Sequence, residues 1–199
     1  MIDQIPIMEQ FYTIQGEGRY AGTPAYFIRL GGCDIGCHWC DVKESWDQDI
    51  HEKVSIDQII QQIPEVVKTV VITGGEPCMY DLSILTSKLR SKGIQINLET
   101  SGAYEIKGCF DWICLSPKRR KVPLESSLEK ADELKVVIYN QDDFKFAEHF
   151  VDQVSSSCKK YLQAEWSKRR QLQDQMISYV MKNPVWNISI QSHKYLKIR

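Results

Sequence analysis

Short apolar runs of β type alternate with helical patterns along most of the chain. The runs are rich in β-branched and aromatic side chains and are bounded by turn residues, which predicts strands at residues 25–30, 69–73, 94–98, 111–115, 134–139, 160–163 and 185–190. Strands that alternate with helices favour βαβ units and a mostly parallel sheet. The units are too few for a closed eight-stranded barrel, so we predict an α/β fold with a partial, open β/α barrel.

Capping residues mark several helix boundaries. Ser55 is followed three positions later by Gln58, the pattern of a capping box, and Asp81 is placed to cap a helix that ends near Gly93. Helical patterns also predict helices at residues 142–152 and 167–182. No internal repeat, low-complexity tract or Pro/Gly/Ser-rich linker divides the sequence. We therefore expect residues 1–199 to form a single domain.

Four of the predicted strands are followed by segments rich in glycine and polar residues. The cysteine-containing segment 33–40 follows the first strand, Gly-Gly-Glu-Pro at 74–77 the second, Glu-Thr-Ser-Gly at 99–102 the third, and Ser-Pro-Lys at 116–118 the fourth. The carboxyl ends of parallel strands meet at one edge of a sheet or barrel, where α/β proteins bind their ligands. We therefore expect these segments at one rim, around a common site.

Composition and charge narrow the functional classes. A chain of 199 residues can bury a core without disulfides, and a net charge of -1 argues against a nucleic-acid or membrane footprint over the whole surface. No apolar run is long enough to span a membrane, and the first residues lack the basic start and apolar run of a secretory signal. We therefore expect a reducing, cytoplasmic setting, in which clustered cysteines bind metal or do chemistry.

Three of the cysteines lie close together in the sequence, as Cys33, Cys37 and Cys40. A structural zinc site would need a fourth ligand, such as His38 or a remote residue. An iron–sulfur cube held by three thiolates instead keeps one iron without a protein ligand, open to a substrate or cofactor. Spacing alone leaves both interpretations open. The scattered cysteines are expected to be small core residues: Cys78, Cys109, Cys114 and Cys158.

The cysteine spacing, an aromatic Trp39 before the last cysteine and the Gly-Gly-Glu-Pro segment resemble the radical S-adenosylmethionine (SAM) superfamily. In that superfamily the open iron of a 4Fe–4S cluster chelates the amino and carboxylate groups of SAM. One electron from the reduced cluster then breaks a carbon–sulfur bond and gives a 5′-deoxyadenosyl radical. The resemblance implies that the three cysteines hold the cluster. It also implies that Gly74 and Gly75 let the backbone approach SAM and that Glu76 accepts from its ammonium group.

Further motifs extend the resemblance over nearly the whole chain. They are Gln15-Gly16-Glu17-Gly18, Arg29-Leu30 before the first cysteine, Trp39-Cys40-Asp41, the 74–77, 99–102 and 116–118 segments, and Gln191-Ser192-His193-Lys194. Together they are similar to the 7-carboxy-7-deazaguanine synthase family, which usually has threonine at the position of Ser192. The resemblance implies conversion of 6-carboxy-5,6,7,8-tetrahydropterin to 7-carboxy-7-deazaguanine with loss of ammonia, in the route to queuosine and related 7-deazapurines.

The resemblance also assigns residues to the two ligands. Substrate contacts are expected from Ile14, Gln15, Gly16, Glu17, Arg29, Thr100 and, through its backbone carboxylate, Arg199. SAM contacts are expected from Trp39, Cys40, Asp41, Gly74, Gly75, Glu76, Gly102, Ser116, Pro117 and Lys118. Arg29 can hold a carboxylate through two charge-assisted hydrogen bonds, and Glu17 can accept from the aminopyrimidinone edge of a pterin. The simpler alternatives are a surface ion pair for Arg29 and a turn cap for Glu17. His193 and Lys194 are expected to shape the site.

One position departs from the family pattern. The family usually has a threonine two residues after the third cysteine, whose hydroxyl binds Mg2+; Val42 stands there and has no side-chain oxygen. The sequence leaves open whether Mg2+ binds through substrate, water and backbone, binds weakly or is dispensable, with Asp41 and Asp47 as nearby carboxylates. Gln163-Ala164 also lacks the proline often found in that segment. A flavodoxin-like electron donor and a homodimer are expected from the family.

Two alternatives compete with this interpretation. Another small radical SAM enzyme, such as a glycyl-radical activating enzyme, would share the cysteines and residues 74–77 but would not need residues 15–18 or 191–194. A zinc-bound nucleic-acid module would combine the cysteines with the basic runs at 118–121 and 168–170. Such runs are usually solvated faces, and both the net charge and the alternation of strands with helices count against the module.

Overall fold

A single open sheet runs through the computed structural model, which describes residues 4–199. Its strands are β1 (Gln4–Ile14), β2 (Pro24–Leu30), β3 (Glu52–Ser55), β4 (Thr69–Gly74), β5 (Gln95–Thr100), β6 (Trp112–Leu115), β7 (Glu133–Ile138), β8 (Lys159–Ala164) and β9 (Trp186–Ser189). They lie in the order β3-β1-β2-β4-β5-β6-β7-β8-β9. The first three residues of the segment searched for a secretory signal lie outside the described residues.

Strand direction confirms the predicted fold class. Neighbouring strands from β2 to β9 pair in parallel, whereas β1 pairs antiparallel with both β2 and β3. The edge strands β3 and β9 do not pair with each other, so the barrel is open. All the predicted strands are present, because each carries a continuous apolar run of the kind that parallel sheets bury.

Two strands, β1 and β3, were not predicted from the pattern. A register shift between Ile7 and Glu9 interrupts the two-residue alternation of β1, and Pro6 further obscures the strand. β3 has only four residues, of which Glu52 and Lys53 are exposed. Both strands belong to the antiparallel edge of the sheet, where one-sided burial produces a weaker apolar signal.

The helices are α1 (Ile56–Gln61), α2 (Ser83–Ser91), α3 (Glu125–Glu129), α4 (Asp142–Glu148), α5 (Arg169–Lys182) and α6 (Ser192–Leu196). α4 ends at Glu148 and not at residue 152. From the second residue after Glu148, backbone N–H groups donate to the carbonyl three residues earlier, as in a 3-10 turn, and not four residues earlier, as in an α-helix. The N-cap of α2 is Leu82; Asp81 lies one residue earlier and accepts from the Ser83 N–H at 2.9 Å. α3 and α6 are too short to show a periodic pattern.

The core lies between the helices and the outer face of the sheet. Ile28 and Ile72 belong to a buried cluster with residues of α1 and α2, and Leu134 and Leu162 to a second cluster with residues of α4 and α5. Alternate residues of the same strands, such as Phe27, point to the inner face. No helix in residues 4–199 has the length and apolar character needed to cross a membrane.

The capping box of α1 gives a test of local stability. Ser55 Oγ accepts from the Gln58 N–H at 3.3 Å, while Gln58 Oε1 accepts from the Ser55 N–H at 3.2 Å. Ser55→Ala is expected to lower the free energy of unfolding by about 1 kcal/mol, measured by urea denaturation of the metal-free protein. Ser178→Ala, an exposed change within α5, is the control and should shift it by less than about 0.5 kcal/mol. Equal effects of both changes would contradict the capping role.

Candidate active site

The carboxyl ends of the parallel strands surround a cavity of about 270 Å3 on the inner face of the sheet. The predicted site residues that line it are Ile14, Gln15, Gly16, Glu17, Arg29, Cys33, Cys37, Trp39, Cys40, Asp41, Gly74, Gly75, Glu76, Thr100, Ser116, Lys118 and Arg199. Gly102 and Pro117 do not line it but adjoin lining residues in the chain. The four segments expected at one rim therefore do meet, as the topology of a parallel sheet requires.

The cysteine loop is anchored at its base by backbone hydrogen bonds. Gly32 N–H donates to the Ser45 carbonyl at 2.6 Å and Cys33 N–H to the Trp46 carbonyl at 3.0 Å. Cys40 N–H donates to the Cys37 carbonyl at 3.1 Å, which closes a tight turn between the second and third cysteines. The loop thus holds its three thiols on one side of the cavity by main-chain contacts.

The three thiols are free and half-buried. Burial raises the pKa of Cys33, with further increases from Glu76 and the other two cysteines. Burial also raises the pKa of Cys37, but the nearby Lys118 and Arg120 oppose this rise by favouring the thiolate. Thiolates that repel one another suit a cationic iron–sulfur core, which would neutralise their charge, while Lys118 and Arg120 favour the thiolate form of Cys37.

The arrangement of possible metal ligands distinguishes a single metal ion from an iron–sulfur cluster. Within residues 4–199 no three or more His, Cys, Asp or Glu side chains are gathered closely enough to hold one metal ion. An iron–sulfur cube presents a separate iron to each thiolate, so its protein ligands need not converge on one point. Three free thiols on the wall of one cavity therefore fit a cluster that lacks a fourth protein ligand.

The turn after β4 has room only for glycine. A Cβ on Gly74 would lie 2.4 Å from the Leu30 carbonyl oxygen, and one on Gly75 would lie 2.2 Å from that of Gly32. The turn is also bonded to the cysteine loop, since Gly75 N–H donates to Leu30 at 3.0 Å and Glu76 N–H to Gly32 at 2.9 Å. The backbones of the two loops are therefore packed directly on each other.

Glu76 is almost fully buried, and its carboxylate is bound by neighbouring loops. Oε1 accepts from Cys78 N–H at 3.0 Å and Thr100 Oγ1 at 2.5 Å, and Oε2 accepts from Ser101 N–H at 2.8 Å and from the Ser101 hydroxyl. The sequence prediction gave this carboxylate to the SAM ammonium group. In the structure its four protein donors make it a brace between the turns after β4 and β5, while it still lines the cavity.

A buried ion pair forms one wall of the cavity. Lys135 Nζ donates to Glu17 Oε2 at 2.5 Å and lies 3.4 Å from Glu99 Oε2, and Gln191 donates to Glu17 Oε1 at 2.8 Å. Burial raises the pKa of Glu17, but Lys135 and the hydrogen bonds from Gln191 and Gln163 outweigh it and lower this pKa to about 2. Burial alone would lower the pKa of Lys135, yet Glu17 and Glu99 keep it well above its ordinary value.

Lys135, Glu99, Gln163 and Gln191 were missed as individual site residues, although Glu99 and Gln191 lie in motifs noted from the sequence. Lys135 lies within the apolar run of β7, between Leu134 and Val136. A lysine is unusual inside a strand that is buried on both faces, and this feature could have marked Lys135 as a candidate site residue. Its partners are distant in sequence and could be identified only from the fold.

Arg29 and Arg199 lie together at another side of the cavity. Arg29 Nε donates to Glu9 Oε1 at 2.8 Å, so the ion-pair alternative raised for Arg29 is present in the structure. Arg199 Nη1 lies 3.8 Å from the other Glu9 oxygen, and the Arg199 carbonyl accepts from Thr13 Oγ1 at 3.1 Å. Because Arg29 still lines the cavity, the pair does not remove it from ligand binding.

The 191–194 segment closes the rim next to the cysteine loop. Lys194 Nζ donates to Asp41 Oδ2 at 2.8 Å, directly after the third cysteine. His193 packs against Gly16 so closely that a Cβ there would lie 2.1 Å from its Nδ1. Burial lowers the pKa of His193, which favours the neutral ring. The predicted shaping role of both residues rests on these contacts.

Lys118 and Trp39 form the opposite part of the rim. Lys118 Nζ donates to the Ser116 carbonyl at 2.6 Å and to its hydroxyl at 2.7 Å, and it lies 5.7 Å from the centre of the Trp39 ring. Burial lowers the pKa of Lys118. An ammonium and an aromatic face beside the cysteines can bind an anionic or planar group of a cofactor.

Known proteins resemble this chain over nearly its whole length. The sequence model of the Radical SAM superfamily matches residues 27–107, which include the three cysteines and the turn after β4. A 7-carboxy-7-deazaguanine synthase of Flavobacterium psychrophilum is 50% identical over 196 residues, 98% of this chain and 93% of the relative. One of Synechocystis sp. is 45% identical over 195 residues, with the same coverage. The crystal structure of QueE from Escherichia coli matches with a TM-score of 0.84 at 31% identity, over 94% of each chain.

Proposed function

Because the chain belongs to the 7-carboxy-7-deazaguanine synthase family of radical SAM enzymes, we propose that it converts 6-carboxy-5,6,7,8-tetrahydropterin to 7-carboxy-7-deazaguanine with loss of ammonia. Family membership confirms the prediction from the motifs and removes the glycyl-radical and zinc-module alternatives. The observation that carries the proposed reaction is one cavity lined by three thiols, the Gly74–Gly75 turn, the Glu17–Lys135 ion pair and Arg29.

The charged side chains that line the cavity support a carboxylated pterin as substrate. Arg29 is permanently charged and can hold a carboxylate through its terminal nitrogens. Glu17 is ionised at neutral pH and, although Lys135 and Gln191 donate to it, each carboxylate oxygen keeps acceptor capacity for the aminopyrimidinone edge. Ile14, Gln15, Gly16 and Thr100 would complete the pocket, with Arg199 at its mouth.

The cofactors would occupy the side of the cavity that carries the cysteines. Cys33, Cys37 and Cys40 would hold the 4Fe–4S cluster, and Gly74 and Gly75, which line the same cavity, would lie beside SAM. When bound, cluster and SAM together supply hydrogen-atom abstraction, which no side chain of the chain can perform. Trp39, Asp41, Ser116 and Lys118 would surround SAM and exclude water, while Gly102 and Pro117 would act only through the lining residues next to them in the chain.

The side chains after the third cysteine do not fit a Mg2+ site. Val42 has no side-chain oxygen, Asp41 is paired with Lys194, and Asp47 accepts from the Asp49 N–H at 2.9 Å. A hard cation needs several oxygen ligands. We therefore propose that no side chain of this segment holds Mg2+. A flavodoxin-like electron donor and a homodimer are further parts of the proposal and rest on the family resemblance, whereas a cytoplasmic setting rests on the sequence pattern of the chain.

An anaerobic turnover assay tests the proposed reaction. Protein reconstituted with iron and sulfide, reduced and given SAM with 6-carboxytetrahydropterin should form 7-carboxy-7-deazaguanine, followed by mass spectrometry, at similar rates with and without added Mg2+. Formation of 5′-deoxyadenosine without product would reject the substrate while keeping radical chemistry. A cluster-loaded protein that gives neither compound would reject the activity, and a strict Mg2+ requirement would mean that Mg2+ binds through substrate, water or backbone groups.

A further inference from the structure

A bulge in β1 sets which residue faces Arg29. Ile7 pairs with Leu30 and Glu9 pairs with Arg29. Between these two pairs β1 advances by two residues and β2 by only one, so Met8 is the extra residue. Bulges of this kind re-aim side chains and are common beside active sites. Without the extra residue, Met8 would stand opposite Arg29, and Glu9 would lie on the other face of the strand.

The bulge therefore produces a direct cross-strand ion pair on the inner face of the sheet. Glu9 Oε1 accepts from Arg29 Nε at 2.8 Å, and both side chains are partly buried. Within residues 4–199 the two terminal nitrogens of Arg29 make no hydrogen bond, and the residue lines the cavity. The guanidinium is thus held from its side, while its end with two parallel N–H groups stays available for a planar anion.

The same carboxylate also contacts a second arginine. Arg199 Nη1 lies 3.8 Å from Glu9 Oε2, its guanidinium lies 5.7 Å from the centre of the Phe11 ring, and its carbonyl accepts from Thr13. Glu9, Phe11 and Thr13 are alternate residues of β1 and so share one face. The Glu9 carboxylate therefore has an arginine at each of its two oxygens.

From this geometry we propose that Glu9 is a positioning residue that holds Arg29 end-on to the substrate carboxylate and thereby makes the site select carboxylated pterins. The proposal rests on the proposed function, because it takes the ligand to be a pterin with a carboxylate at position 6. Glu9 itself need not touch the substrate. Its negative charge would oppose an incoming carboxylate, so selection has to come from the orientation of Arg29 and not from added positive charge.

Two variants separate the effect of Arg29 orientation from the effect of the negative charge of Glu9. Glu9→Gln removes the negative charge but keeps an oxygen that accepts from Arg29 Nε, whereas Glu9→Ala removes both. The readout is the ratio of the dissociation constants of pterin and 6-carboxypterin, measured by anaerobic equilibrium dialysis on cluster-loaded protein with SAM bound. Neither compound is the reduced substrate, so this binding ratio is independent of turnover. Circular dichroism establishes that each variant is folded.

Glu9→Ala is expected to lower the preference for 6-carboxypterin at least tenfold, while Glu9→Gln keeps the wild-type preference within about threefold. The control is Glu105→Ala, which breaks an exposed pair with Lys107 and should leave the ratio unchanged. If Glu9→Ala keeps or increases the preference, the positioning role is overturned and the proposed reaction is untouched. If wild-type protein shows no preference for the carboxylated pterin, the substrate assignment fails together with this inference.

Discussion

Gly75→Ala is expected to reduce turnover by at least about 100-fold, because misplacing reacting groups by about 1 Å can cost that much. Its Cβ would lie 2.2 Å from the Gly32 carbonyl oxygen and 2.7 Å from Cys33 Cβ. Neither neighbour is the end of a flexible side chain, so the turn after β4 and the cysteine loop would have to separate. Iron and sulfide content, SAM binding and turnover should all fall together.

The matched control for this prediction is Gly93→Ala. Gly93 has a φ of +69° but no atom within 4 Å of an added Cβ, so alanine there strains the backbone without touching the site. Gly93→Ala should lower stability and leave cluster content and SAM binding unchanged. A Gly75→Ala protein that retains its cluster and more than about a tenth of wild-type turnover would show that the two loops are not packed as described.

Lys135→Met is expected to destabilise the fold by about 3–5 kcal/mol at neutral pH, because it leaves the buried Glu17 carboxylate without its ammonium partner. In the wild type the folded-state pKa of Glu17, about 2, lies below its ordinary value of 4.5. The stabilisation is therefore fully present above pH 4.5 and is lost as the pH falls through 2. In the variant only the hydrogen bonds from Gln191 and Gln163 still oppose burial, so the pKa of Glu17 rises and protonation relieves the buried charge at a higher pH.

The stability deficit of Lys135→Met should accordingly shrink between pH 8 and pH 5, as measured by urea denaturation at each pH. Lys160→Met is the control: Lys160 is also buried, but no carboxylate lies within 4 Å of it among the residues that the structure describes. Its deficit should be smaller and nearly independent of pH. A Lys135→Met deficit that stays constant over this range would mean that Glu17 is not the group left unpaired.

Sequence reasoning located the rim of the site because strand direction fixes where loops emerge. Once residues 25–30 and 69–73 were recognised as parallel strands, the segments after them had to meet at their carboxyl ends. Cys33 and Gly75 could be placed on this basis without coordinates. The steric reason for the two glycines is visible only in the structure, since a larger residue at either position would collide with the backbone of Leu30 or Gly32 in the neighbouring loop.

The wall of the cavity could not be predicted in the same way. Lys135 of β7 meets Glu99 of β5 and Glu17, in the segment after β1, only because these strands belong to one sheet, and no local pattern records that pairing. The role of Glu76 was also beyond the sequence, because its Thr100 and Ser101 donors lie on the next strand and loop. The bulge at Met8 hid β1 itself, since it breaks the alternation by which strands are recognised.

The contacts of Gly16 and Glu17 with the 191–194 segment have a consequence for how the protein matures. The hydrogen bond between Gln191 and Glu17 spans 174 positions, and Ser192 N–H donates to the Gly16 carbonyl at 2.9 Å. Closing such a long loop is entropically costly, so these contacts should form late in folding. A partly synthesised chain would present its three thiols before it has a complete cavity. Only a chain that extends through residues 191–194 can complete the wall of the cavity.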